Sequence, residues 1–250
     1  MSIRSHTEGV TNAADRDATL RLLQEGELTL VGRIVSASNA TFLATASEGS
    51  RTASCVYKPV RGERPLDDFP DGTLSKRERA AYLVSDASGW DIVPPTVLRT
   101  DGPFGAGMAQ LWIDVDEQAD VWTMVNAADD RLRAIALFDA AVNNADRKGG
   151  HLLPTADGHL YGCDHGICFA AEPKLRTILW DWRGAPIRKD ELAVLRKLRA
   201  RLDGPLCADL LALLAPVEVQ ALSARVDRLL RTKLFPEPDP YRHVVPWPPF

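Results

Sequence analysis

The sequence predicts an α+β protein of two lobes, an antiparallel β-sheet lobe followed by a mainly helical one. Three observations support this. The chain has 250 residues, enough to bury about three quarters of its unfolded surface without a disulfide or metal staple. Its composition, 45% hydrophobic and 26% charged, excludes a mostly disordered chain. Short β-branched runs concentrate before about residue 115, and apolar residues at helical spacing dominate after it. Such a division predicts a sheet lobe over 17–114, a helical lobe over 115–250 and a cleft between them.

The elements follow in order. Residues 1–16 are polar and expected to be flexible. Asp17 to Glu25 spaces Ala18, Leu22 and Leu23 as a short helix that Gly26 can stop. Leu28–Val35, Thr41–Thr45 and Ala53–Lys58 read as strands, the first two joined by the small-residue turn Ser36–Ala40. Ser75 to Val84 is a helix with Ser75 as N-cap and Glu78 three residues on, a capping-box pattern. Thr96–Arg99 and Met108–Asp114 are further strands around a Gly-rich hairpin. Beyond them, Asp129 to Asn143 is the clearest helix. His151–Pro154 and His159–Cys163 are two short strands turning at Asp157-Gly158, and Arg188–Leu202 and Pro216–Leu234 are amphipathic helices. The segment Pro236 to Phe250, rich in Pro and aromatic residues, is expected to pack as an irregular strap.

Charge and cysteines narrow the function classes. Thirty Lys and Arg against 34 Asp and Glu leave a net charge of −4, so the basic footprint of a nucleic-acid binder is missing. Cys55, Cys163, Cys168 and Cys207 form no disulfide framework and read as reduced thiols. No apolar run approaches the ~20 residues of a membrane span, and MSIRSHTEGVTNAADR lacks the apolar centre of a signal peptide. The expected localisation is cytoplasmic, with no transmembrane segment; the oligomeric state stays open.

Three segments carry chemistry when set side by side. Val56-Tyr57-Lys58-Pro59 puts a lysine at the end of a strand. Asn143-Asn144-Ala145-Asp146-Arg147-Lys148-Gly149-Gly150-His151 directly follows a helix, and Tyr161-Gly162-Cys163-Asp164-His165-Gly166 ends a short strand. Phosphoryl transfer from ATP needs such a set. A lysine neutralises phosphate, one carboxylate orients or deprotonates the acceptor hydroxyl, and a second carboxylate with a neutral ligand holds Mg²⁺. Asp146 and His151 stand five positions apart, as do the base and the metal-binding Asn of a kinase catalytic loop.

On these residues the sequence resembles the phosphatidylinositol 3-/4-kinase-like fold, especially type II phosphatidylinositol 4-kinases, over roughly 28–170. It also resembles a family of small actinobacterial proteins noted for the same likeness. Ser38-Asn39-Ala40-Thr41-Phe42-Leu43 is similar to the phosphate-binding hairpin. Val56-Tyr57-Lys58-Pro59 is similar to the Phe-Lys-Pro of the nucleotide-lysine strand. Gln110-Leu111-Trp112-Ile113 resembles the hinge strand beside adenine, and Asn144-Ala145-Asp146-Arg147 the Asn-Thr-Asp-Arg catalytic loop. Gly158 to Gly166 resembles the strand leading into Asp-Phe-Gly. The resemblance implies a bilobal kinase-like fold and an ATP-dependent phosphotransferase using Mg²⁺ or Mn²⁺. It implies Ser38, Asn39, Lys58, Glu78, Gln110, Leu111, Trp112 and Ile113 at the nucleotide, Asp146 and Lys148 at the catalytic step, and His151 and Asp164 at the metal.

The sequence departs from the pattern at three positions. His151 replaces the metal-site Asn, His165 the Phe of Asp-Phe-Gly, and Lys148 the His that follows Asp-Arg in 3-kinases. No long basic activation loop follows Gly166, so the acceptor is open: a protein hydroxyl, a small molecule or an inositol lipid. Two other readings use the same residues, a nucleotide-binding pseudokinase with a regulatory role and an AMP transferase on the same fold. Blander readings exist for single residues, with Glu78 as a capping glutamate and Lys58 as an edge-strand lysine. The density of His151, His159, Cys163, His165 and Cys168 suggests zinc, but their spacing fits no standard zinc pattern. The basic residues between Arg188 and Arg201 read as a solvated helix face.

Overall fold

The computed structural model describes residues 13–35 and 39–250. Contacts divide the chain into two compact units: residues up to Arg79 with Pro94–Asp114, and Ala80–Val93 with Val115–Phe250. Residues 80–93 thus group with the helical unit, because Ile92 and Asp91 are bonded to the hairpin of that unit.

In the first unit, helix α1 (Ala13–Glu25) begins before the expected Asp17. Asp15 sits in its first turn, where the helix dipole favours a carboxylate, and its carbonyl accepts from Thr19 Oγ1 at 2.8 Å. Ala13–Arg16 are therefore helical rather than flexible, while residues 1–12 lie outside the described residues. Strands β1 (Glu27–Arg33), β2 (Phe42–Glu48), β3 (Arg51–Pro59), β4 (Thr96–Arg99) and β5 (Gly107–Leu111) form one antiparallel sheet ordered β1-β2-β3-β5-β4.

Period-two alternation sorts the sheet's residues. Ala44, Ala46, Cys55, Tyr57, Val97, Ala109 and Leu111 pack with Leu22 and Leu23 of α1 into one core. Arg99 closes it, its Nη1 donating to the Leu23 and Gly26 carbonyls at the C-terminus of α1, both at 2.8 Å. The cross-strand partners Leu43↔Val56, Val56↔Gln110 and Lys58↔Met108 lie on the opposite face.

Burial pushes the Cys55 thiol up to about 11. The unfolded thiol ionises near its ordinary value of 9.0. Stability linked to Cys55 is therefore complete below pH 9 and lost as pH rises to about 11, by about 2–3 kcal/mol. Urea midpoints should accordingly converge between wild type and Cys55→Ala from pH 8 to pH 10.5. A gap that stays constant would contradict the shift.

Helix α2 (Leu74–Ser88) is longer than the sequence pattern suggests, and its cap is different. Glu63, from the preceding loop, accepts from Leu74 N at 3.1 Å and from Ser75 N and Oγ at 2.9 and 2.6 Å. A distant carboxylate does the work expected of Ser75, and Glu78 turns to another partner.

The second unit contains α3 (Val121–Asn126), α4 (Leu132–Val142), the hairpin β6 (Leu152–Pro154) and β7 (Leu160–Gly162), and α5 (Lys189–Leu202), α6 (Pro205–Leu211) and α7 (Pro216–Thr232). Asp120 caps α3, accepting from Thr123 N and Oγ1. Helix α4 is buried along its length, and Arg225 of α7 donates from Nε to the Ala141 carbonyl at 2.9 Å. The basic character of α5 is partly spent inside the chain. Arg199 pairs with Asp203 and Asp227, and Arg188 just before the helix pairs with Asp130. Among the described residues, no helix is long and apolar enough to cross a membrane.

Candidate active site

On the sheet face opposite α1, the first unit pairs Lys58 with Glu78. Lys58 Nζ lies 2.7 Å from Glu78 Oε1, with the lysine side chain 19% exposed and the glutamate 2%. Strand β3 carries Lys58 to the sheet end, and the first half of α2 supplies Glu78. The lysine is thus held by a buried partner while its ammonium keeps access to solvent. Asn39, from the turn before β2, uses Oδ1 to accept from Arg64 N at 2.9 Å, which ties the turn to the segment after β3. Ser38 lies outside the described residues.

The four residues of the expected hinge have different surroundings. The Leu111 side chain belongs to the α1 core, and Ile113 packs against that core. The N–H groups of Leu111 and Trp112 are already donated to Pro95 O at 2.8 Å and Ser54 O at 3.0 Å. Gln110 is buried on the Lys58 face and donates from Nε2 to Thr96 Oγ1 at 2.8 Å. Alternation along β5, which ends at Leu111, turns the Leu111 side chain away from the Lys58 face.

The second unit gathers the other candidates. Asp146 and Lys148 pair at 3.1 Å (Nζ to Oδ2), each about a quarter exposed. His151 Nε2 lies 3.4 Å from Asp164 Oδ2. Asp164 is half exposed, and its backbone is left-handed at φ 60°. His151 Nδ1 accepts from Lys148 N at 3.4 Å, and its Nε2 faces the Asp164 carboxylate. The Asp164 carboxylate itself suits a hard divalent cation, which typically takes one or two carboxylates and completes its shell with phosphate and water. Among the described residues, no group of three or more His, Cys, Asp or Glu side chains could hold a metal by itself.

A buried hub underlies these groups. Arg147 is fully buried and makes a fork-to-fork contact with the equally buried Asp139 of α4, Nε to Oδ2 and Nη2 to Oδ1, both at 2.9 Å. Burial works against the Arg147 charge, but the attraction of Asp139 outweighs it and holds the pKa above the ordinary value. Nη1 donates to the Cys163 carbonyl at 2.8 Å and to the His151 carbonyl at 3.4 Å. Asn144 Nδ2 also donates to Asp139, while its Oδ1 accepts from Asp146 N at 3.0 Å. The guanidinium thus ties the backbone on both sides of the His151 and Asp164 contact to the loop that carries Asp146.

No family model matches the chain. Protein Rv2133c of Mycobacterium tuberculosis is 44% identical over 270 residues, covering 94% of this chain and 96% of that protein. The chain belongs to the family of this mycobacterial protein. Two crystal structures of the Golgi casein kinase resemble its fold. The one with Mn and ADP bound matches at a TM-score of 0.59 and 16% identity over 89% of this chain and 76% of that one. The other matches at 0.56 and 16% over 94% and 78%. The Helicobacter pylori proinflammatory kinase CtkA matches at 0.50 and 15% over 85% and 94%. The family therefore has an atypical kinase-like fold of the α+β class.

Within this family fold, the role of His165 is structural. It is buried, stands edge-on to Phe138 with ring centroids 5.5 Å apart, and its Nε2 lies 2.7 Å from Arg147 Nη2. A phenylalanine there would offer the guanidinium no acceptor, which accounts for imidazole at this position. Of the other residues in the suspected zinc group, His159 bonds the Asp91 carbonyl through Nε2 at 2.8 Å, and among the described residues no cysteine forms a disulfide. Sequence reasoning missed Asp139 and Asn144 as partners of the loop. The signal was an Asp on the otherwise apolar face of a buried helix, which requires a charged partner.

Proposed function

We propose that the chain is an ATP-dependent phosphotransferase of the phosphatidylinositol 3-/4-kinase-like kind, moving the γ-phosphoryl group to a hydroxyl. The observation that carries this reading is the Lys58–Glu78 pair at 2.7 Å in a chain of kinase-like fold. Lys58 would take a phosphate oxygen, with Glu78 keeping its ammonium charged and aimed. Asp164, steadied by His151, would hold the divalent cation, which neutralises phosphate charge. Asp146 would accept the acceptor's proton as the new oxygen–phosphorus bond forms and ADP leaves. Lys148 would keep Asp146 in place and offset charge on the transferring group. The neighbour crystallised with Mn and ADP supports a nucleotide with a divalent cation. Four cysteines outside any disulfide suit a reducing compartment and support the cytoplasm as the place of action.

The test begins with binding. ATP with Mg²⁺ or Mn²⁺ at a hundredfold excess over Kd should stabilise the chain by about 2.7 kcal/mol. For a chain of this size that raises Tm by about 5–10 °C. Incubation with γ-labelled and with α-labelled ATP, over protein, sugar and inositol-lipid acceptors, then reads the chemistry. Transfer of the γ-label supports the proposal. Retained α-label means AMP transfer, and binding without turnover means a pseudokinase. No thermal shift with millimolar ATP and either metal removes the nucleotide site itself.

A further inference from the structure

The Pro/aromatic segment at Val244–Phe250 is fastened to the loop that carries Asp146, Lys148 and His151. Pro249 O accepts from Gly149 N at 2.8 Å. The Phe250 ring lies directly over Gly149, so that a Cβ on that residue would fall inside the ring's van der Waals envelope. The ring also meets Trp122 of α3, with centroids 4.8 Å apart. A second anchor lies upstream, where Val244 O accepts from Thr177 N at 3.0 Å and Trp180 Nε1 at 2.9 Å. The residues beside Thr177 bond the same loop, Arg147 N donating to Arg176 O and Ile178 N to Arg147 O.

Gly149 is not among the residues with positive φ, so backbone conformation does not demand glycine there; the ring above it does. Gly149 opens the 3-10 turn Gly149–His151, and Lys148 N at its cap meets His151 Nδ1. The angle of this turn thus sets where His151 meets Asp164 and where Lys148 meets Asp146. Phe250 and Trp122 remain 44% and 59% exposed, so their contact adds little to global stability compared with a fully buried ring. A contact of small energetic weight on the catalytic loop fits a role in positioning.

We infer that Phe250 and Pro249 are positioning residues, a strap that holds the Gly149–His151 turn so that Asp146, Lys148 and His151 keep their places for phosphoryl transfer. The inference rests on the function proposed above. Small displacements of reacting groups cost up to about a hundredfold in rate.

Phe250→Ala is therefore expected to lower kcat by about tenfold to a hundredfold, with KM for ATP changed less than kcat, since Lys58 is untouched and Asp164 is reached through its contact with His151. Phe250→Leu, which keeps an apolar group over the glycine, should retain most of the rate. Gly149→Ala should match the loss of Phe250→Ala, and the double variant Gly149→Ala/Phe250→Ala should be no slower than either, because the two act through one contact. Amide hydrogen exchange gives a readout apart from activity, with faster exchange at Gly149 in Phe250→Ala and no change in the α1 core. An active wild type whose kcat and Gly149 exchange are unmoved by Phe250→Ala overturns the strap, as do losses that multiply in the double variant. A wild type that transfers no phosphoryl group overturns the underlying function and the catalytic role of the strap with it. Faster exchange in Phe250→Ala would then still verify the contact.

Discussion

Asp164→Asn is expected to weaken metal-dependent nucleotide binding and abolish transfer together, whereas Asp146→Asn should leave binding nearly intact and slow turnover by at least about a hundredfold. The two carboxylates sit in different surroundings. Asp164 is half exposed and faces His151 Nε2 at 3.4 Å, and a carboxylate offers several lone pairs that suit a cation. Asp146 faces Lys148 at 3.1 Å, and its own N–H is bonded to Asn144 Oδ1. In the proposed function its carboxylate serves the acceptor hydroxyl. Lys58→Ala should fall between the two, losing phosphate affinity and most of the charge stabilisation that matters in the transition state. Titration with a fluorescent ATP analogue followed by a turnover assay separates the three. Equal loss of nucleotide binding in Asp146→Asn and Asp164→Asn would refute the division of roles.

The parts legible in the sequence were those written in local pattern. Strands β2 and β3 stood out by composition, α4 by its period, and the hairpin β6–β7 by Asp157-Gly158. The kinase-like fold was readable because Lys58, Asp146 and Asp164 occur in the required order. What was not legible depends on partners far away in sequence. The α2 cap comes from Glu63, which no S-x-x-E pattern announces, and that is why Glu78 looked like a capping residue. The packing of Leu111 and Ile113 against the α1 core likewise depends on partners distant in sequence. Helices α3 and α6 are 6 and 7 residues long, too short for a period to emerge. His151 and His165 looked alike as departures from the kinase pattern. His151 Nδ1 accepts a backbone N–H and its Nε2 faces Asp164, whereas His165 Nε2 meets a buried guanidinium.

The second large effect concerns stability. Asp139→Asn should destabilise the fold by about 3–5 kcal/mol, because it leaves the fully buried Arg147 charge without its counter-ion. For a domain of this size that is a fall in Tm of about 6–20 °C, and it is a large fraction of the 5–15 kcal/mol that holds a typical domain together. Replacing both members by apolar residues of similar volume, Asp139→Leu with Arg147→Met, removes the uncompensated charge and should recover most of the loss. Recovered stability should not bring recovered function. The guanidinium also donates to the carbonyls of Cys163 and His151, and methionine cannot, so the backbones that carry Asp164 and His151 lose their common donor. The double variant is thus expected to unfold near wild-type denaturant concentrations while transferring phosphate at a small fraction of the wild-type rate. Urea denaturation and the γ-label assay on the same preparations test both halves. A single variant that costs under about 1 kcal/mol would mean that the pair is solvated, and a fully active double variant would mean that the hub serves packing alone.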